Sequence, residues 1–209
     1  MKKIVLIGDI VASKKISNRA AVQRKLNRLF DGINADNKFL DSPYTITLGD
    51  EFQAVYKNAD EIFGDIWKIL FALYPERARF SIGLGNISTK INRRQAIGMD
   101  GPAFYNAREG LNELKNNLYL LNIKGEEICS GELIKHALFF VSHSIVKWKL
   151  TRMKIFNYLM EDLTIKQISK KIKITDKAVY KNIDRSGMYI ITDIINEITS
   201  SLNSALKGS

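Results

Sequence analysis

Tyr44-Thr45-Ile46-Thr47-Leu48-Gly49-Asp50-Glu51-Phe52-Gln53-Ala54-Val55-Tyr56 alternates apolar and polar residues on both sides of Gly49-Asp50. Two runs of period two joined by a Gly-Asp turn read as a β-hairpin. Outward from it, Lys3 to Ile7 is a short β-branched run ending at Gly8-Asp9, the pattern of a buried strand that delivers Asp9 at its end. Between the two, Ser17 caps a helix to about Ile33, with Ala21, Leu26, Leu29 and Phe30 on its apolar side. Beyond the hairpin come a helix from Asp60 to about Leu73 and a strand from Arg79 to Asn86. A helix opened by Pro102 and running to about Asn116 follows, then a strand from Leu118 to Ile123. The order β-α-β-β-α-β-α-β predicts a ferredoxin-like, palm-type sandwich. After Gly125 the pattern is wholly helical. The expected class is therefore α+β, a palm-like domain over 1–130 followed by an all-α domain over 131–209.

With 209 residues, 45% apolar and 26% charged, the chain has the composition of an ordinary globular protein, which excludes a disordered or low-complexity one. No apolar run approaches the roughly 20 residues that a membrane span requires. Gly8 and Asp9 interrupt an apolar start that would otherwise imitate a signal peptide. Cys129 is the single cysteine, so an internal disulfide or a thiolate zinc site is excluded and an inert thiol is expected. His136 and His143, seven apart with no third ligand in sight, read as structural histidines. A cytoplasmic protein without a membrane partner is the plain expectation.

Two aspartates stand where folds usually avoid them. Asp9 ends a buried strand, and Asp50 occupies a hairpin tip with Glu51 beside it. If those strands are neighbours, the carboxylates converge. With the backbone carbonyl of Ile10 they would suit Mg²⁺ or Mn²⁺, a hard cation that takes oxygen ligands. Downstream, the amides of Ala12 and Ser13, the Ser13 hydroxyl and Lys14 stand where a phosphate chain would lie. The alternative is that Asp50 is a turn residue and Asp9 a strand-end cap.

Ile7-Gly8-Asp9-Ile10-Val11 and Leu48-Gly49-Asp50-Glu51-Phe52 resemble the two metal-aspartate segments of class III nucleotide cyclases, and the second also resembles the diguanylate cyclase signature. Phe80-Ser81-Ile82-Gly83-Leu84-Gly85 and Gly101-Pro102-Ala103-Phe104-Tyr105-Asn106-Ala107-Arg108-Glu109 resemble the later strand and helix of that fold. With its helical C-terminal part the whole chain looks like the SatD family of bacterial proteins, a resemblance that implies an architecture and not a reaction. The departures bear on chemistry. Ile46 stands where those cyclases carry a purine-selecting lysine, and Tyr105 and Glu109 stand where they carry asparagine and the transition-state arginine. Asn106 and Arg108 lie one step off and are expected to point elsewhere. The resemblance thus implies a metal–nucleotide site that senses, without cyclase catalysis.

The charge of +10 is concentrated late: residues 147–185 hold 11 basic and 4 acidic residues. Thr164 and Thr175 cap two short helices around a turn at Lys173, a helix-turn-helix pattern with Ile168, Ile172, Ile174, Val179 and Ile183 as its core. The second helix is expected to present Thr175, Lys177, Ala178, Tyr180, Lys181, Asn182 and Arg185 to DNA, with Lys147, Lys149, Arg152 and Lys154 beside them. The bland alternative is a solvated lysine face. Residues 133–160 read as helical, and the stripe Ile190, Ile191, Ile194, Ile195 and Ile198 is either core or the seam of a homodimer. The leading expectation is a DNA-binding transcriptional regulator whose first domain senses a nucleotide or dimerises. The rival is a Mg²⁺-dependent nucleotide-processing enzyme recruited to DNA.

Overall fold

The computed structural model describes residues 2–36, 38–47, 49–126, 128 and 131–208. Leu48 of the hairpin, Cys129 and the expected boundary at Ser130 lie outside them. In chain order the elements are β1 (Lys2–Ile10), a single 3₁₀ turn (Ser13–Lys15), α1 (Arg19–Asp36), β2 (Leu40–Ile46), β3 (Glu51–Tyr56), α2 (Ile62–Leu73), β4 (Ala78–Asn86), α3 (Pro102–Lys115) and β5 (Leu121–Lys124). Five helices follow: α4 (Gly131–Ile145), α5 (Leu150–Met160), α6 (Ile165–Ile172), α7 (Asp176–Ser186) and α8 (Met188–Lys207).

The strands form one sheet in the order β2-β3-β1-β4-β5. β1 is central and antiparallel to both β3 and β4; β5, reached through the α3 crossover, runs parallel to β4. β2 begins earlier than its alternation suggests, and it tolerates Pro43 because it is an edge strand with register shifts on either side of Ser42. Along β1, Ile4, Leu6 and Ile10 face the larger core with α1 and α2, while Val5 and Ile7 face the smaller one with α3. Gly83 lets α3 lie directly on β4: a Cβ there would sit 2.1 Å from the Ala103 carbonyl oxygen and 2.4 Å from the Ala107 nitrogen.

The protein is a mixed α+β fold. Apolar residues of the C-terminal helices belong to the same cluster of buried residues as those of the sheet and α2. Trp67 of α2 meets Phe156 of α5 at 4.5 Å and Trp148 at 5.9 Å, ring centre to ring centre, both edge-on. Burying Trp148 also breaks the helix expected over residues 133–160, because the chain turns back between Ile145 and Leu150 to insert it. Ile191, Ile195 and Ile198 are buried and Ile190 is exposed, so the α8 stripe is mostly core. His136 and His143 lie exposed on α4, one against the Glu132 carbonyl and the other against Lys147. Among the described residues no helix is long and apolar enough to cross a membrane.

Candidate functional site

The site lies at the end of β1. Asp9 is opposite Glu51 of β3 on one side and Arg79 of β4 on the other. Directly opposed residues of antiparallel strands share a face, so these three side chains form a row on the α3 side of the sheet. Gly8 precedes Asp9 for a steric reason: a Cβ at that position would lie 2.5 Å from the ring of Phe52.

Asp9 Oδ1 is buried and, among the described residues, has no hydrogen-bond partner. Arg79 Nη1 stands 3.8 Å away, an ion-pair distance but too long for a hydrogen bond. Burial is the largest cause that holds the Asp9 carboxyl above the usual carboxylate range; Arg79 and Lys115 oppose the rise, and Asp50 and Glu51 add to it. Asp50 is thus close enough to bear on Asp9.

Asp50 is held from behind. The Ile10 amide donates to its carbonyl oxygen at 3.3 Å, and Gln23 Nε2 of α1 donates to the Gly49 carbonyl oxygen at 2.8 Å. Gly49 has a φ of 65°, the left-handed turn conformation that glycine adopts freely. Ile10 itself is buried in the larger core, leaving only its backbone to the site. Next along the chain, Ala12 is left-handed at φ 53° and Ser13 to Lys15 form a right-handed turn, closed by the Lys15 amide on the Ala12 carbonyl oxygen at 2.8 Å. A left-handed alanine costs about 1 kcal/mol. Successive residues of opposite hand turn their amides toward one point, a concavity suited to an anion. Ser13 is buried there, and Lys14 and Lys15 are exposed. The cleft among Ser13, Arg19, Gln23 and Asp50 is small, about 10 Å³. Larger cavities lie elsewhere, about 420 Å³ by Arg28 and Phe39 and about 590 Å³ by Glu113 and Lys124. The site is placed at Asp9 on its chemistry and not on cavity volume, since amides turned toward one point form a rim and not a deep pocket.

Arg108 corrects the sequence reading. Expected to point elsewhere, it reaches from α3 to form an ion pair with Glu51. Phe104, Ala107 and Leu111 form the buried stripe of α3, and Arg108, adjacent to Ala107, flanks that stripe on the side of the hairpin. That stripe is the signal in the sequence that would have found it. Asn106 donates to the Leu84 carbonyl oxygen at 2.8 Å, while Tyr105 is bonded to Asp100 and Glu109 to Lys124, both away from Asp9. Glu51 also accepts from the Thr47 hydroxyl at 3.3 Å.

Asp9's orphan oxygen is of the kind that a hard divalent cation takes as a ligand. Among the described residues no group of three or more His, Cys, Asp or Glu is placed to hold an ion. Ligands beyond the two carboxylates would have to be backbone, water or phosphate oxygens, the usual company of Mg²⁺.

The two short helices form as expected. Thr164 and Gln167 make a reciprocal capping box, Lys173 takes the left-handed turn and Thr175 caps α7 on the Ala178 amide. Lys177, Tyr180, Lys181 and Arg185 are exposed, whereas Asn182 donates to the Ala178 carbonyl oxygen and accepts from Arg152.

The SatD family model matches residues 3–199. No curated protein matches the chain. Two solved structures of a bacterial light-regulated adenylyl cyclase resemble the fold, each with 18% identity and a TM-score of 0.44. The likeness covers 59% of this chain and 43% of the first, and 58% and 74% with the second, so this chain spans less than half the length of the first. The expected DNA-binding transcriptional regulator is corrected, and with it the recruitment to DNA in the rival reading: the matching family model names no DNA-binding activity, and nothing found speaks for DNA at Thr175, Lys177, Ala178, Tyr180, Lys181, Asn182 or Arg185. A capped pair of short helices with outward lysines satisfies a solvated face as well as a groove-reading one.

Proposed function

We propose a function for this chain, which belongs to the SatD family over residues 3–199: the Asp9 end of its sheet binds the polyphosphate of a nucleotide together with Mg²⁺ or Mn²⁺. The observation that carries the reading is the buried Asp9 oxygen at the end of the central strand that, among the described residues, receives no hydrogen bond. Asp9 and Asp50 hold the ion, with the Ile10 carbonyl and water or phosphate oxygens as the further ligands. The Ala12 and Ser13 amides, the Ser13 hydroxyl and Lys14 take the phosphates. A bound divalent cation supplies neutralisation of phosphate charge and polarisation of a phosphoryl oxygen.

The test is thermal unfolding of the full chain with Mg²⁺ or Mn²⁺ and ATP or GTP. At a hundredfold excess over Kd, binding stabilises by about 2.7 kcal/mol, several degrees for a chain of this size. Asp9→Asn and Asp50→Asn should each lose that rise while remaining folded by circular dichroism. A wild type indifferent to every metal–nucleotide pair, or an Asp50→Asn variant that responds in full, refutes the reading.

A further inference from the structure

We propose that Arg79 and Arg108 are built-in counter-ions that make this site take its divalent cation and its polyphosphate together, and the bare cation only weakly. The proposal rests on the metal–nucleotide reading above and assigns a specificity role to two residues of this chain.

Both sheet-face carboxylates already have a cationic neighbour. Arg79 is fixed beside Asp9 by the β1–β4 register, and both side chains are largely buried, at 16% and 13% exposure. It is anchored in the strand ladder and cannot withdraw far. Arg108 holds Glu51, which is 12% exposed, from a side chain that is itself 43% exposed and therefore free to swing. Lys115 adds a third positive field at Asp9. A bare divalent cation approaching Asp9 meets guanidinium charge at short range, where like charges repel strongly because little water intervenes. A polyphosphate reverses this. Its oxygens accept guanidinium groups in paired hydrogen bonds, so Arg108 can pass from Glu51 to phosphate and cease to oppose the ion. The affinity for metal then depends on the presence of phosphate, and by linkage the reverse holds equally. Lys14 differs. It is exposed and, among the described residues, has no carboxylate partner at the site, so it contributes to phosphate affinity without entering the exchange.

The experiment is calorimetric titration of the full chain with Mn²⁺ alone, with a non-hydrolysable nucleoside triphosphate in EDTA, and with the preformed Mn²⁺ complex. The wild type should bind the complex about 10-fold or more tightly than either component, within the range of ordinary coupling. Arg108→Gln and Arg79→Gln should bind Mn²⁺ alone about 5-fold tighter and the complex more weakly, whereas Lys14→Ala should weaken the complex and leave Mn²⁺ alone unchanged. Arg108→Lys keeps the charge and should still repel bare Mn²⁺, which separates charge from packing. If Arg79→Gln does not fold, the exposed Arg108 carries the test. Mn²⁺ alone binding the wild type as tightly as the complex, or unaffected by the Gln variants, overturns the counter-ion role and leaves the nucleotide site standing. Absence of any binding by the complex overturns both.

Discussion

Two carboxylates are drawn into the interior from opposite faces of the same sheet, and they are treated in opposite ways. Asp65 of α2 is fully buried, and it accepts from the Tyr56 hydroxyl at 2.6 Å and from Lys68 Nζ at 3.0 Å. Tyr56 in turn shares a hydrogen bond of 2.7 Å with Tyr44, so the group is a closed polar network. Burial, foremost, pushes both tyrosine hydroxyls well above their usual range, which keeps them neutral donors. Asp9 is less buried but keeps one oxygen with no hydrogen bond among the described residues. A buried polar group that is satisfied locks a fold; one left unsatisfied calls for an explanation, here the proposed ion.

The largest effect should come from breaking the closed network. Asp65→Ala leaves the Tyr56 hydroxyl without its acceptor and removes the partner of Lys68, and should lower stability by about 3 kcal/mol in urea unfolding. A loss under about 1 kcal/mol would remove the contrast between the two carboxylates. Tyr56→Phe removes one donor to Asp65 and the link to Tyr44, and should cost about 1–2 kcal/mol by the same measurement.

Asp9→Asn should act with the opposite sign and more gently. With its folded pKa raised, the Asp9 carboxyl binds protons more readily in the folded than in the unfolded state. Stability therefore falls as pH rises from the ordinary carboxylate range through the raised folded pKa, and the penalty is fully present above it. Asp9→Asn should raise the melting temperature of the metal-free protein at pH 7 and give no gain near pH 3. A destabilised variant at pH 7 would mean that Asp9 is as structurally engaged as Asp65.

Much of this molecule was legible in short windows. Alternation around Gly49-Asp50, the β-branched run into Asp9, and threonine caps at 164 and 175 each specify local geometry through backbone sterics or one side-chain hydrogen bond, so those elements formed within a few residues of expectation. That the Asp9 end of β1 lies beside the hairpin was legible for the same reason: β1 and β3 are neighbours, with Asp9 opposite Glu51. Arg108 at Glu51, Arg79 beside Asp9, the Asp65 network and the return of the chain at Trp148 were not. Each depends on how far one element is rotated or shifted against another. The rotation of α3, for one, rests on Gly83 letting the Ala103 and Ala107 backbone come into contact with β4. The basic α6–α7 pair marks the limit from the other side, because the same capped helices and outward lysines serve a surface of the common core as readily as a DNA reader. Local pattern sufficed where the energy is local, in turns, caps and alternation. Which charges meet was settled by long-range packing, because an ion pair's partner is chosen by the placement of backbones far apart in the chain.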